Sequence, residues 1–170
     1  MTDFRTERLI AERLSADHLA DLTALHLDPE VSRHLGGVRS PAQTEAYLRL
    51  NLAHWDDHEF GLWTLRTHDG QFAGRAGLRH LDIEGAPEVE IAYTFRREMW
   101  GQGLATEIAH ALVRIWRERR LSPSLIGVAS LGNTASRRVL EKAGLAYERD
   151  ALHHGATVAL YRLTTPVAAE

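Results

Sequence analysis

A short glycine-containing turn is the segment of this sequence best suited to bind a charged ligand. It reads Trp100-Gly-Gln-Gly-Leu-Ala105 and lies between a predicted strand and a predicted helix. Glycines lack a Cβ atom, so a ligand can approach the backbone, and the first amides of the following helix have no internal partners. Such N–H groups, at the positive end of the helix dipole, favour a phosphate or pyrophosphate. Arg96 and Arg97, just upstream, could add charge-assisted contacts.

The glycine spacing does not by itself identify the ligand. A G-x-G turn after a strand also occurs for purely structural reasons. A Walker loop would require a lysine followed by serine or threonine, and a Rossmann fingerprint requires a third glycine and an acidic residue downstream. Neither pattern is present around Gly101 and Gly103, so the turn predicts either an anion site of another kind or a structural turn.

The elements that must position this turn follow from apolar periodicity and from the placement of proline and glycine. Strands are expected at residues 8–14, 61–66, 72–81, 89–95, 124–129, 145–151 and 157–163, and helices at 16–27, from Pro29 to near Gly36, 41–57, 103–119 and 133–142. The strands between residues 61 and 95 should form an antiparallel meander. This order of elements predicts one α/β domain over residues 1–170.

Composition excludes several classes of function. A chain of 170 residues with 44% hydrophobic content can bury one core, and its net charge of −3 supplies no field to hold nucleic acid. Cysteine is absent, which excludes disulfides, thiolate metal sites and cysteine nucleophiles and favours a cytoplasmic location. The charged N-terminus does not match a signal peptide, and no stretch reaches the roughly 18 apolar residues of a spanning helix, so no membrane partner is expected.

A second motif runs from Asn133 to Gly144 and reads Asn-Thr-Ala-Ser-Arg-Arg-Val-Leu-Glu-Lys-Ala-Gly. Together with the W-G-x-G-x-A-T-E turn that ends at Glu107 and the order of the elements, it resembles the GNAT N-acetyltransferase superfamily. The resemblance is closest to the branch of the ribosomal-protein N-acetyltransferases, includes the opening Thr6-Glu-Arg-Leu9, and covers nearly the whole chain. Trp100 stands where most of the superfamily has Gln or Arg, which is a mark of this branch.

The resemblance implies a fold, a donor and a set of binding residues. The fold would be a mixed, mostly antiparallel seven-stranded sheet with helices on both faces and a splayed parallel strand pair. Acetyl-CoA would be the donor, with no metal. The implied cofactor-binding residues are Phe95, Arg96, Arg97, Gly101, Gln102, Gly103, Leu104, Ala105, Thr106, Asn133 and Ser136.

Each group of these residues has an implied role. Backbone amides of residues 101–106 would hold the pyrophosphate. The main chain of Phe95 would pair with the pantetheine arm, and Asn133 would hydrogen-bond that arm from the other side. A bulge in the strand at residues 89–95 would aim an N–H group at the thioester carbonyl.

Acetyl transfer to an amine requires a base, a stabilised oxyanion and a proton for the departing thiolate. By the same resemblance, Glu90, on the strand expected beside the thioester, is the predicted base, with Glu88 and His80 as rivals. The alternative for Glu90 is a solvated residue or an arginine partner. Ser136 is the predicted acid, one helical turn beyond Asn133. Alternatively it only positions the cofactor, and the thiolate takes its proton from water.

The histidines favour no metal site. His54 and His58 lie one turn apart on a predicted helix, but the sequence indicates no third ligand, so a solvated helix face is expected. His153 and His154 are placed in a surface turn near the closing strands.

Two alternatives to an enzyme stay open at this stage. The chain could be a non-catalytic acyl-CoA-binding sensor, or an ordinary nucleotide-binding α/β protein. The acceptor amine is equally open: a protein N-terminus, an aminoglycoside, a polyamine or an amino-acid-like metabolite. Residues 28–57 and the turn at His153 are expected to wall its pocket. Dimers are common in the family, so the resemblance also admits a homodimer.

Overall fold

The computed structural model describes residues 3–166, which form one eight-stranded sheet with the strand order β1-β2-β3-β4-β5-β6-β8-β7. The strands are β1 (Phe4–Arg5), β2 (Leu9–Arg13), β3 (Leu62–Thr67), β4 (Phe72–Ile83), β5 (Ala86–Phe95), β6 (Ser124–Ser130), β7 (Ala146–His153) and β8 (Ala156–Thr164). The helices are α1 (Leu19–Leu27), α2 (Pro29–Ser32), α3 (Pro41–His58), α4 (Leu104–Arg119) and α5 (Thr134–Lys142). Within residues 3–166, no helix is both long and apolar enough to cross a membrane.

Local signals explain where the helices begin. The Asp28 side chain accepts hydrogen bonds from the first amides of α2, and Ser40 forms a capping box with Gln43 at the start of α3. Each of these helices has proline in its first turn, as predicted. Helix α2 ends at Ser32, earlier than the expected end near Gly36.

The sheet has eight strands rather than the predicted seven, because Phe4 and Arg5 pair with β2 as a short edge strand. Two residues are too few to show an alternating pattern in the sequence. The fold class is otherwise confirmed. All neighbouring strands are antiparallel except β5 and β6, which are parallel and joined by one residue pair, Glu90 with Ile126. No other residue pair joins these two strands within residues 3–166, in agreement with the predicted splay.

The bulge expected in β5 is absent from its pairing with β4, so that prediction was wrong. The ladder runs without a register shift from Gly74 opposite Phe95 to Ile83 opposite Ala86. The reason is the tight turn between the strands, Glu84-Gly85, where both residues have positive φ (49° and 83°). Such two-residue turns match the twist of the flanking strands and keep them in register.

Cross-strand pairs define two faces of the sheet. Arg75, Arg79 and Glu90 share one face, and the hydrogen bond from Arg75 to His26 of α1 identifies it as the α1 face. Gly127 points to the opposite side, where Leu140 of α5 lies against it, and we call this side the α5 face. Helix α4 contacts α5 and therefore also covers the α5 face. Helices on both faces agree with the expectation.

Candidate active site

The start of α4 presents open backbone amides. Gly103, with φ of 80°, stands at the N-cap position and supplies no side-chain cap. The first helical hydrogen bond runs from the Glu107 N–H to the Gly103 carbonyl at 3.0 Å. In residues 3–166 the N–H groups of Leu104, Ala105 and Thr106 meet no acceptor. The start of this helix of 16 residues can therefore receive an anion.

Arg8 braces the same turn and was missed as a site residue. Its Nη1 donates to the Gln102 carbonyl and its Nε to Glu107, both at 2.7 Å. Thr6 donates to the other Glu107 oxygen at 2.6 Å. Burial raises the pKa of Glu107, but the bonds from Thr6 and Arg8 outweigh it, so the net pKa lies below its ordinary value. The Thr6-Glu-Arg-Leu9 motif was the available signal.

The two arginines before the turn are already engaged. Arg96 Nη1 donates to the Phe72 carbonyl at 3.0 Å, and Arg97 forms an ion pair with Asp28 at 3.1 Å. The Arg97 side chain is 53% exposed, so part of its guanidinium still faces solvent. For both residues, contact with a phosphate stays a prediction.

The gap between β5 and β6 is lined by free backbone groups. The Arg96 N–H bonds to the Ala73 carbonyl at 2.8 Å. Because hydrogen-bonded pairs alternate along an antiparallel ladder, the polar groups of Tyr93 and Phe95 then point away from β4, towards the gap. The Phe95 carbonyl accepts from Trp100 Nε1 at 2.9 Å, which leaves the Phe95 N–H for a ligand.

Asn133 and Ser136 border the gap at the start of α5. The Asn133 Oδ1 atom caps α5 by accepting from the Ser136 N–H at 3.2 Å, so its Nδ2 group remains free to donate. The Ser136 Oγ atom lies 3.1 Å from the Tyr93 hydroxyl, which also donates to the Ser136 carbonyl at 3.0 Å. Burial raises the pKa of Tyr93, against the opposing bond from Ser136. Tyr93 was missed because 43 residues separate it from Ser136.

The candidate bases differ in their surroundings. Glu90 is 3% exposed and pairs with Arg79 at 2.6 Å, beside the point where the gap opens. Glu88 is held by two hydrogen bonds from Arg162, at 2.8 and 3.0 Å. His80 pairs with Val89 rather than lying opposite Arg79 as Glu90 does, and its ring lies against those of His54 and His58 at the end of α3. Glu90 is therefore the best placed of the three.

Three histidines lie together on the surface, where the sequence indicated two. His80 joins His54 and His58, and ligand atoms of all three lie within 4.8 Å of one another. His54 uses both ring nitrogens, one on the Phe60 carbonyl at 2.8 Å and one on the His80 N–H at 3.0 Å. A third histidine therefore exists that the sequence did not indicate, but His54 would have to break a bond to bind a cation. The absence of a metal stays a prediction.

His153 lies at the end of β7 rather than in the turn, which falls at His154 and Gly155. Burial lowers its pKa, as does His154, and the charges of Glu90 and Arg79 also act on it. That this region walls the acceptor pocket stays a prediction.

A sheet that opens between two parallel strands, with uncapped helix amides beside the opening and polar side chains on both faces, can accommodate a phosphate-bearing ligand. Comparison with known proteins gives the family. Residues 8–146 match the family described as Acetyltransferase (GNAT) domain. The chain belongs to this family, whose general reaction is acetyl-CoA-dependent acetylation, and it is an acyltransferase.

Individual relatives agree with this assignment. The uncharacterized protein YkkB of Bacillus subtilis is 30% identical over 135 residues, covering 79% of this chain and 78% of YkkB. An acetyltransferase structure from Agrobacterium tumefaciens superposes with a TM-score of 0.85 at 24% identity, covering 97% of this chain and 95% of that one. The ribosomal L7/L12 α-N-protein acetyltransferase RimL, in complex with coenzyme A, gives 0.77 at 16% identity, with 94% and 95% covered. The similarity to these last two structures is evidence for the fold alone.

Proposed function

We propose that this enzyme transfers the acetyl group of acetyl-CoA to a primary amine, by direct attack within a ternary complex. The observation that carries the proposal is the gap between β5 and β6, which begins at the single pair Glu90–Ile126 and has the open amides of α4 beside it. The similar RimL structure contains coenzyme A, a ligand with both a pyrophosphate for the helix and an arm for the gap.

The donor would bind mainly through the backbone. Amides of residues 101–106 would hold the pyrophosphate at the dipole end of α4, with Arg8 nearby as a further cation. The Phe95 N–H would extend the pairing of β5 to the pantetheine arm, and Asn133 Nδ2 would donate from the α5 side. Side-chain identity matters little in such a site, because the amides do most of the binding.

The proton transfers would come from opposite faces of the sheet. Glu90, on the α1 face, would accept the proton of the ammonium group through water, so that the neutral amine attacks the thioester carbonyl carbon. The attack would form the C–N bond. As the tetrahedral intermediate collapses, the C–S bond breaks, the sulfur leaves as a thiolate and the nitrogen loses its second proton to solvent. Ser136, held by Tyr93 on the α5 face, would give it a proton that the pair regains from solvent. The amine would thus approach the carbonyl from the α1 face, and the thiol would leave towards the α5 face.

A thiol-release assay with acetyl-CoA and a broad panel of amines, followed by mass spectrometry of the product, tests the proposal. Release with acetylation of an amine supports it. Binding of coenzyme A without release by any amine would favour a sensor. Calorimetry that finds ATP or NAD bound more tightly than coenzyme A would overturn the donor assignment.

A further inference from the structure

Three arginines converge on one tyrosine on the α1 face. The guanidinium carbons of Arg39 and Arg75 lie 4.9 Å from the centre of the Tyr47 ring, and that of Arg79 lies 5.8 Å from it. They come from the loop before α3 and from β4, and Tyr47 comes from α3. We call Arg39, Arg75 and Arg79 the arginine cluster. Arg79 also bonds Glu90, so the cluster adjoins the proposed reaction site.

The arginine cluster carries more positive charge than its surroundings neutralise. Glu90 pairs with Arg79, but within residues 3–166 neither Arg39 nor Arg75 forms an ion pair with a carboxylate. Their shared partner is His26, whose Nε2 atom accepts from Arg75 at 3.2 Å and from Arg39 at 3.3 Å. Burial, with the charges of Arg75 and Arg39, lowers the pKa of His26 to about 3. His26 is therefore neutral and offsets no charge.

The excess of positive charge is most costly at Arg75. It is 3% exposed, and in the described part of the chain its Nε is the only guanidinium nitrogen with a hydrogen-bond acceptor. Burial lowers its pKa to about 10, so the group remains charged at neutral pH. A buried cation that touches no carboxylate is costly, and the more distant charge of Glu90 and stacking on Tyr47 offset only part of that cost. Packing alone does not account for this arrangement.

We infer that the acceptor is a primary amine that also carries a carboxylate or phosphate group, and that this anionic group binds the arginine cluster. The inference rests on the proposed acetyltransferase reaction and narrows its substrate class. Guanidinium groups bind such anions through paired hydrogen bonds. The ammonium end of the acceptor would then face the Glu90 carboxylate, while its anionic end faces the arginine cluster. The charges of the site would thus complement those of a zwitterion. Polyamines and aminoglycosides, which are polycations, would be repelled.

Matched acceptors test this inference. Common L-amino acids would be compared with their carboxamides, and O-phosphoethanolamine with ethanolamine, so that each pair differs in the anionic group. We expect kcat/KM to be higher for the anionic member of at least one pair by about tenfold or more. The pair that responds distinguishes carboxylate from phosphate. Equal or lower kcat/KM for the anionic member of every pair, in an enzyme that acetylates the neutral amines, would overturn the inference.

Variants locate the effect in the cluster. Arg39→Gln should raise the KM of the anionic acceptor about tenfold or more while leaving the neutral acceptor and coenzyme A binding unchanged. Arg49→Gln is the matched control, because Arg49 lies on α3 with a side chain that is 67% exposed and, in the described part of the chain, pairs only with Glu45. An equal loss for both acceptors in Arg39→Gln would contradict an anion-binding role.

A binding measurement separates this inference from the proposed function. Calorimetry with inorganic phosphate and with an N-acetyl amino acid would be run on the wild type, Arg39→Gln and Arg49→Gln. In one outcome no amine releases thiol, but phosphate or the N-acetyl amino acid binds the wild type and Arg49→Gln more tightly than it binds Arg39→Gln. That result would support the anion site and contradict the proposed reaction. If amines are acetylated but neither anion distinguishes these proteins, the reaction stands and the anion site fails.

Discussion

Tyr93 and Ser136 are 43 residues apart in the chain, yet their hydroxyl oxygens lie 3.1 Å apart at the edge of the gap. Tyr93 also donates to the Ser136 carbonyl, so one hydroxyl holds both the main chain and the side chain of the serine. Since burial raises the pKa of Tyr93, this hydroxyl keeps its proton at neutral pH. Tyr93 is thus a positioning residue for Ser136, the proposed donor to the departing sulfur.

Tyr93→Phe should lower kcat by about tenfold or more while the KM for acetyl-CoA changes little, because the contact matters only when the thiolate departs. Ser136→Ala should lower kcat at least as far, and the double variant should add little, since the two hydroxyls act together. Steady-state kinetics of the three variants checks this. Tyr147→Phe is the control, because its hydroxyl bonds the exposed Asp150. Unchanged kcat in Ser136→Ala would remove the pair from the reaction.

At the scale of elements, the turn before α4 connects β5 to α4 and is also held to β2. Gly101 and Gly103 both have positive φ, 75° and 80°, and the turn is fastened to the start of β2 by Arg8. Its function depends on the backbone path rather than on side chains. A residue that cannot follow that path should therefore disable the turn without dissolving the sheet.

Gly103→Val should abolish measurable coenzyme A binding and leave most of the fold intact. A β-branched residue is strongly disfavoured at this φ, so the amides of Leu104 to Thr106 would be displaced. Calorimetry measures the binding, and circular dichroism checks the fold. Gly85→Val is the matched control, because Gly85 has φ of 83° and open space around it in the β4–β5 turn. Equal affinity in Gly103→Val and the wild type would exclude the turn from the site.

Elements with strong local signals were predicted from the sequence. Pro29 and Pro41 mark helix starts, and Asn133 caps α5 where expected. The contacts between elements were not predicted, because they depend on register. The sequence predicted strands at residues 72–81 and 89–95 but not how tightly they are joined, and the two-residue turn Glu84-Gly85 is what places Arg79 opposite Glu90.

At the scale of the whole molecule, the network around His26 links parts of the chain that are remote in sequence. His26 is completely buried in α1 and bonds Thr44 of α3, Arg39 of the preceding loop and Arg75 of β4. With guanidinium N–H groups directed at Nε2, its proton belongs on Nδ1, which donates to Thr44. In the sequence His26 is one of ten histidines, and no neighbouring residue distinguishes it from the others. Its role in this network was therefore not predicted.

This network should make global stability depend on pH. Because burial and the charges of Arg75 and Arg39 lower the pKa of His26 from 6.5 to about 3, the unfolded chain binds a proton that the folded chain excludes. The resulting stability is present above about pH 6.5 and is lost as the pH falls towards about 3, by up to about 1.4 kcal/mol per pH unit.

Urea unfolding of the wild type and His26→Gln between about pH 7 and about pH 4 measures the effect. The glutamine keeps an oxygen acceptor for the two arginines but does not titrate, so its free energy of unfolding should fall less steeply with acid. His110→Gln, which changes an exposed histidine of α4, should behave like the wild type. Parallel slopes for all three proteins would contradict the prediction.

The single residue pair between β5 and β6 also determines how the two halves of the sheet are held together. The sheet has two parts, β1 to β5 and β6 with β8 and β7, and within residues 3–166 these parts pair only through Glu90 and Ile126. A donor that pairs with the free edge of β5 would supply the rungs that the ladder lacks. In such a molecule the donor would also serve as a strand, and each turnover would remove and restore part of the sheet.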